Sequence, residues 1–478
     1  MALSAFLALC LALQQPAAPA PRADEIWVAS WKTVPVGLDF VTPMIWLDGY
    51  YKPGQDNPSI DPDALARRAK AAPPGRRMIF WYRYSLSFWG ARADSAALAD
   101  GALAPLPWPT TTAPAIESEW TRFLDLFKYC GGEIDYLIGD CEDWTRFLSW
   151  GLSPEQFRAI VADHRFDQEC LGVPPLRRLS AGVPLDSVLQ PQRSDAYLRW
   201  NLQVGRFASG VMNETLWKPA LARFPALQGS NYDGKVMLDR PAPDLNGHAQ
   251  PSDNIFGNRS SPVAYGTVAQ AATSWFIDPA DPTRLARAGK DRLGRGPWQS
   301  FLMDVQLGRA CRRGTPDRAL TPWIAPFTYP GDQRGTVGYP DDTRCWDEMI
   351  RHYALLGTSV FLWWNPESVP VPGGKVIQIP ELASQPRRID ALMREVNARL
   401  GGPVAATVDA SPIPFSSDLV LTGARTRAGK YVWRATVRPG IGMVRDADSG
   451  ATIAVEEGTL GAWIETAVAT PPRLQAVN

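Results

Sequence analysis

Histidine is scarce in this chain of 478 residues, which has only His164, His248 and His352. That leaves few ways to build a histidine-rich zinc centre or a Ser-His-Asp triad, and it makes carboxylates the default catalytic groups. Excess charge of either sign is also missing. Lys plus Arg number 49 and Asp plus Glu 49, so no overall field draws the chain to nucleic acid or to an anionic membrane. The six cysteines include no CxxC pair, which removes the usual ribbon-type metal and dithiol motifs. No glycine-rich dinucleotide fingerprint or Walker loop follows any strand-like run. Neither a cofactor nor a metal is expected.

Long apolar runs are confined to the start. Leu3 to Leu13 form an apolar core followed by Pro16-Ala17-Ala18-Pro19-Ala20, small residues of the kind that precede a cleavage site. Residues 1–23 therefore read as a signal peptide and the mature chain as secreted or periplasmic. The run is short for a transmembrane helix, and no later stretch is long enough to span a bilayer. Cleavage would leave Cys130, Cys141, Cys170, Cys311 and Cys345, hence at most two disulfides, so stability must come from the core.

What is present is a composition that builds cores: 45% hydrophobic residues with a mean hydropathy of −0.18. The length suits two domains. From about residue 26 to 400, short apolar runs alternate with helical patterns, the grammar of a β/α fold with parallel strands. Candidate strands cover residues 40–46, 78–84, 134–140, 226–232, 262–266, 322–328 and 359–364, with an eighth in 27–31 or within 239–295. Trp120, Phe123, Leu124 and Phe127 share one helix face, as do Trp346, Met349, Ile350 and Tyr353, and each run stops at glycine. A third helix through Ile389, Leu392, Met393, Val396 and Leu400 stops at Gly401-Gly402. The expected fold is an α/β class (β/α)8 TIM barrel over residues 24–402, with an open doubly wound sheet as the alternative. Residues 403–478 change to short alternating runs, read as an all-β sandwich accessory domain.

The strongest local signal is Ile134-Asp135-Tyr136-Leu137-Ile138-Gly139-Asp140-Cys141-Glu142-Asp143-Trp144, an apolar strand that runs into acids and a tryptophan. Residues i and i+2 of a strand share a face, so Asp140 and Glu142 would point together at the C-terminal end of a barrel strand. Two close carboxylates resist simultaneous ionisation, which keeps one protonated as a general acid must be. The plain alternative is that the acids only solvate the following loop. Asp233, Asp332 and Glu367 also follow strand-like runs, in turn-like contexts. A nucleophile at Asp332 or Glu367 opposite Glu142 would instead make a retaining glycosidase with paired carboxylates.

Asp140-Cys141-Glu142-Asp143-Trp144 resembles the hyaluronidase family, whose barrel strand ends in Asp-x-Glu followed by another acid and a tryptophan. Ala354-Leu355-Leu356-Gly357-Thr358-Ser359-Val360-Phe361-Leu362-Trp363-Trp364 is similar to that family's helix-to-strand segment, with Trp364 on its pocket tryptophan. Asn231-Tyr232 and Ser261-Pro262-Val263-Ala264-Tyr265 are loosely similar to its tyrosine-bearing strands. The resemblance implies chitinase-type substrate-assisted hydrolysis. Glu142 would protonate the glycosidic oxygen, Asp140 would orient the acetamido group of the substrate, Tyr232 or Tyr265 would bond that group, and Trp364 would wall the sugar pocket. The chain departs from the family at Cys141, at Asn365 and in its C-terminal β module.

The 19 tryptophans fit that chemistry. Trp46, Trp81, Trp144, Trp323, Trp363 and Trp364 fall at or beyond strand ends, where indole faces stack on the apolar faces of sugars. Each could instead pack beneath loops. Trp46, Trp81, Trp144, Trp364, Tyr232, Asp233, Tyr265 and Asn365 make up the expected substrate-binding set. Arg76-Arg77 and Arg312-Arg313 read as solvated ends, and Trp433 as core of the β module. The expected activity is that of a secreted glycoside hydrolase acting on a polysaccharide or oligosaccharide, anionic or acetamido-bearing, with a non-catalytic carbohydrate-binding barrel as the rival. Nucleic acid and an integral membrane span are not expected.

Overall fold

The computed structural model of the chain describes residues 24–47, 61–81, 95–97, 103–107, 109–140, 213–232, 268–272, 297–314, 319–324, 343–365, 368–371, 375–378, 385–408, 413 and 416–477. Its parallel strands are β1 (Trp27–Ser30), β2 (Val41–Pro43) with its continuation β3 (Ile45–Trp46), β4 (Met78–Trp81), β7 (Tyr136–Asp140), β8 (Gln228–Tyr232), β9 (Val268–Ala272), β10 (Ala319–Ile324) and β11 (Val360–Trp363). Two antiparallel hairpins follow strands of this set: β5 (Ser95–Ala97) with β6 (Leu103–Pro107) after β4, and β12 (Ser368–Val371) with β13 (Lys375–Gln378) after β11.

Two parallel sheets result, ordered β2-β1-β11-β10-β9 and β3-β4-β7-β8. Neighbours follow chain order, and the first strand pairs with the last, Trp27 opposite Val360 through Ser30 opposite Trp363. That is the order of a ring and not of an open doubly wound sheet with a switch point. Only Met44 separates β2 from β3, so the two sheets are continuous there. At the other seam β8 lies alongside β9, but no strand pairing joins them among the described residues.

Both faces of the strands are buried, as a parallel sheet covered by helices requires. Trp27, Ala29, Met44, Met78, Phe80, Tyr136, Ile138, Trp323, Val360 and Leu362 form one inner cluster. Their immediate neighbours Val28, Phe361 and Trp363, and Ile45, Ile79 and Leu137, fall into two outer clusters against the helices. This two-residue alternation is the strand period made visible.

The helices are α1 (Pro62–Lys70), α2 (Pro109–Tyr129), α3 (Lys218–Arg223), α4 (Pro297–Gly314), α5 (Arg344–Leu355) and α6 (Gln385–Leu400). The expected faces of α2, α5 and α6 are all buried. At the end of α5, Gly357 takes a φ of 92°, a left-handed turn that glycine enters without steric cost. Its carbonyl then accepts from Leu320 N at 3.0 Å, which places the chain beside β10. Cys130 and Cys345 form no disulfide. Among the described residues no helix is long and apolar enough to cross a membrane.

Arg76 and Arg77 correct the expectation of solvated ends. Arg76 is 9% exposed at the entry to β4, paired to Glu25 at 2.9 Å, bonded to the Asp39 carbonyl and placed over the Trp27 and Phe40 rings. Arg77 pairs with Glu133, and its amide donates to Asp135 Oδ2 at 2.8 Å. Both lie at the strand N-termini, the end of such folds that serves stability, and so away from the C-terminal rim.

Beyond α6 come β14 (Ala406–Thr407), β15 (Leu419–Arg425), β16 (Tyr431–Val437), β17 (Met443–Asp446), β18 (Thr452–Ala454), β19 (Gly461–Thr466) and β20 (Leu474–Val477). They form a four-stranded antiparallel sheet, β14-β15-β16-β19, and a three-stranded one, β18-β17-β20. Val437, Ile441 and Val444 pack between them with Leu419, Ile453 and Ala476. The run expected at 262–266 lies outside the described residues. β14, β17 and β20 have no counterpart among the expected runs, whereas β9 falls within 239–295, one of the two stretches expected to hold an eighth strand, and β1 fills the other.

Candidate functional site

Parallel strands deliver all their C-terminal ends to one rim. β7 ends there at Asp140, in register opposite Tyr232, the last residue of β8. One step earlier Gly139 is flanked by Trp81 on β4 and Asn231 on β8. Tyr136 and Ile138 of the same strand belong to the inner cluster. Close approach of β7 and β8 depends on Gly229. A Cβ at that position would come within 2.3 Å of the Leu137 carbonyl oxygen and 2.8 Å of the Trp217 ring. Trp217 is fixed in turn because the π-helical turn Asn213–Trp217 is tied to α2 by Trp120 Nε1 donating to Leu216 O at 3.0 Å.

Across the ring the rim is aromatic. Trp31, one residue past β1, meets Trp46 edge-on with ring centroids 4.0 Å apart, Phe80 at 4.9 Å and Trp323 at 5.8 Å. Trp46 Nε1 donates to Trp31 O at 3.0 Å, so this indole N–H is engaged by the protein. Trp364 is half-buried, packed against both the inner cluster and the helix-facing core, with its amide on Ile324 O at 2.9 Å. Asn365, 7% exposed, accepts through Oδ1 from Ser30 Oγ and from Lys32 N, each at 3.2 Å, and so ties the end of β11 to the end of β1.

The structure thus brings together Asp140, Tyr232 and Trp81 as neighbouring strand ends, and Trp46, Trp364 and Asn365 around the β11-β1-β3 side of the same rim. Two strand-end tryptophans do not face a ligand. Trp363 is 0% exposed among the helices, because it stands one residue out of phase with the inward set, and Trp323 is 3% exposed within the inner cluster. Glu142, Trp144, Asp233, Tyr265, Asp332 and Glu367 lie outside the described residues. Sequence reasoning missed Trp31 as the aromatic hub. Its signal was available, since Trp31 continues the phase of Trp27 and Ala29 past the strand end.

Strongly perturbed ionisable groups often mark functional sites, but among the described residues the strongly perturbed Glu348 and His352 lie elsewhere. Burial alone would push the Glu348 carboxyl up, yet Arg434, Arg351 and Thr436 more than offset it and hold it at about 2. Burial depresses His352 to about 3, with the Arg309, Arg434 and Arg351 charges adding to the effect and Glu348 opposing it. Both side chains are 0% exposed and cannot meet a substrate. Among the described residues no group of three His, Cys, Asp or Glu is arranged to hold a metal ion.

No family model and no curated protein matches the chain. Solved structures align over most of its length at low similarity. A modular endo-β-1,4-mannanase from Cellulomonas fimi, of glycoside hydrolase family 26, shares 11% identity over 89% of this chain and 88% of that one, with a TM-score of 0.27. The catalytic domain of the GH30 xylanase C from Talaromyces cellulolyticus shares 10% over 89% and 84%, with a TM-score of 0.26. SrfJ from Salmonella typhimurium shares 14% over 69% and 89%, with a TM-score of 0.21. At these TM-scores the likenesses carry no argument.

Proposed function

We propose that the chain is a glycoside hydrolase on a (β/α)8 barrel, residues 24–402, with its active site at the C-terminal rim and Glu142 as general acid/base. The observation that carries the reading is the register of Asp140 opposite Tyr232 at that rim. It makes Asp140, the first residue of the Asp140-x-Glu142 pair, and Tyr232 neighbouring strand ends, on a strand set whose other side carries Trp31, Trp46 and Trp364.

In the proposed reaction Glu142 protonates the glycosidic oxygen as the bond to the anomeric carbon breaks. The carbonyl oxygen of the sugar's own acetamido group closes on that carbon, with its N–H held by Asp140 and Tyr232 or Tyr265 beside it. Glu142, now a carboxylate, then takes a proton from the water that opens the cyclic intermediate, so it is restored for the next turnover. Trp364 supplies an apolar wall, and Trp81, Trp144, Asp233 and Asn365 complete the sugar-binding set. The substrate class that suits this chemistry is a polysaccharide or oligosaccharide with acetamido sugars.

Incubating the purified chain with a glycan panel that includes acetamido polymers tests the reading: release of new reducing ends supports it. Saturable binding across the panel without cleavage would assign the chain to non-catalytic carbohydrate binding. Export is proposed from the apolar run at Leu3–Leu13. An exported chain whose N-terminus falls within residues 17–23 agrees with it, and one that retains residues 1–13 contradicts it.

A further inference from the structure

A polar network centred on the fully buried Glu348, His352 and Arg434 joins the β module to helix α5. Arg434, mid-strand on β16, donates to Glu348 of α5 through Nε at 2.8 Å and Nη2 at 2.7 Å. Glu348 also accepts from Thr436 Oγ1 at 2.7 Å and from Arg351 Nη1 at 3.1 Å. One helical turn on, the two ring nitrogens of His352 meet Thr422 Oγ1 at 2.7 Å and Thr436 Oγ1 at 3.0 Å. The neighbouring helices are tied in as well. Arg309 of α4 reaches Thr422 Oγ1 at 3.0 Å, and Glu395 of α6 accepts from Trp463 Nε1 at 3.0 Å while it pairs with Arg351.

Apolar packing runs through the same boundary. Ile413, Val420, Ala424, Val432 and Leu460 of the module belong to one continuous cluster with Phe301, Val305, Ile350 and Tyr353 of α4 and α5. Linked domains normally meet over a modest, more polar surface and keep relative freedom. Here, separation would leave a buried carboxylate without the Arg434 guanidinium, a buried imidazole without its hydroxyls, and an apolar core cut in two.

We infer that the C-terminal β module is a fixed buttress of helices α4, α5 and α6, which folds and unfolds with them as one unit and is not an independently stable appendage. The inference rests on the packing alone and stands whether or not the glycosidase reading does.

Native-state hydrogen exchange of the full chain, followed by mass spectrometry at rising denaturant, tests it. Amides of Tyr431–Val437 and of Arg344–Leu355 are expected to exchange through one opening with a common denaturant dependence. Arg434→Met, which takes from the buried Glu348 carboxylate its two-bonded guanidinium partner and leaves it Arg351 and Thr436, should accelerate both sets equally, on the order of 100-fold. If that variant does not fold, the milder Thr436→Val should accelerate both equally by about fivefold. Separate openings in the wild type, or acceleration confined to the module peptides in whichever variant folds, overturns the inference.

Discussion

Asp140 and Tyr232, 92 positions apart in sequence, end their strands side by side as Cα partners in one parallel register. The pairing sets an acid and a phenol-bearing residue at the mouth of the strand ring without any contribution from the loops. Asp140→Asn is therefore expected to fold normally and to lose about 100-fold or more in kcat/KM. With the neighbouring negative charge gone, the acid form of Glu142 should lose its proton more readily, so the alkaline limb of the rate profile moves to lower pH. An unchanged profile with full activity would separate Asp140 from the chemistry.

Adjacent tryptophans give a sharper contrast. Trp363 faces the helices at 0% exposure, whereas Trp364 is half-buried at the rim. Trp363→Ala is expected to destabilise the fold by about 3–5 kcal/mol and to leave KM unchanged in whatever protein folds. Trp364→Phe should raise KM for sugar substrates with little loss of stability. Denaturant midpoints and steady-state kinetics on the two variants check both halves, and equal effects on KM would refute the assignment of faces.

Asn365 carries a strap through its Oδ1 in addition to its proposed place in the sugar-binding set, and two substitutions tell the roles apart. Asn365→Ala removes the acceptor shared by Ser30 Oγ and Lys32 N, and it should cost about 1–2 kcal/mol in urea unfolding. Asn365→Asp keeps an acceptor there and should recover most of that loss. If it restores stability without restoring KM, the amide N–H also serves the sugar.

Acid should loosen the module junction. His352 ionises near 6.5 in the unfolded chain and at about 3 when folded, so between those values the unfolded state binds the extra proton and stability falls as pH falls. Glu348, at about 2 when folded, adds a loss that begins as pH falls into the ordinary carboxylate range and continues toward 2. Urea midpoints should decline from pH 7 to pH 4, and His352→Gln should flatten the part between pH 6.5 and pH 4.5. An unaltered slope in the variant would place the acid sensitivity elsewhere.

Local pattern made much of this fold legible. The tryptophan-bearing faces of α2 and α5 repeat at helical spacing and stop at glycine, and the apolar runs of β1, β4, β7 and β11 stand clear of polar flanks. β17 was not legible because of its four residues only Val444 is buried, too little for a two-residue alternation to show. Long-range partners were invisible for a different reason. Arg434 interrupts an apolar strand and its burial makes sense only once Glu348, 86 positions earlier, lies against it. Arg76 is buried because Glu25 and the Asp39 carbonyl reach it from other parts of the chain. At the rim, the phase of β11 decides that Trp364 and not Trp363 borders the opening, and neighbouring letters alone do not fix that phase.

The central claim is that Glu142, two positions beyond the end of β7, is the proton donor of a glycosidase. Glu142→Gln keeps size and hydrogen bonding while it removes the proton. Its turnover on a glycan that the wild type cleaves, measured beside its binding of the same glycan, tests the claim most directly. The account predicts unchanged folding, retained binding and hydrolysis reduced by a factor on the order of 100 to 10,000. Hydrolysis at the wild-type rate would contradict it.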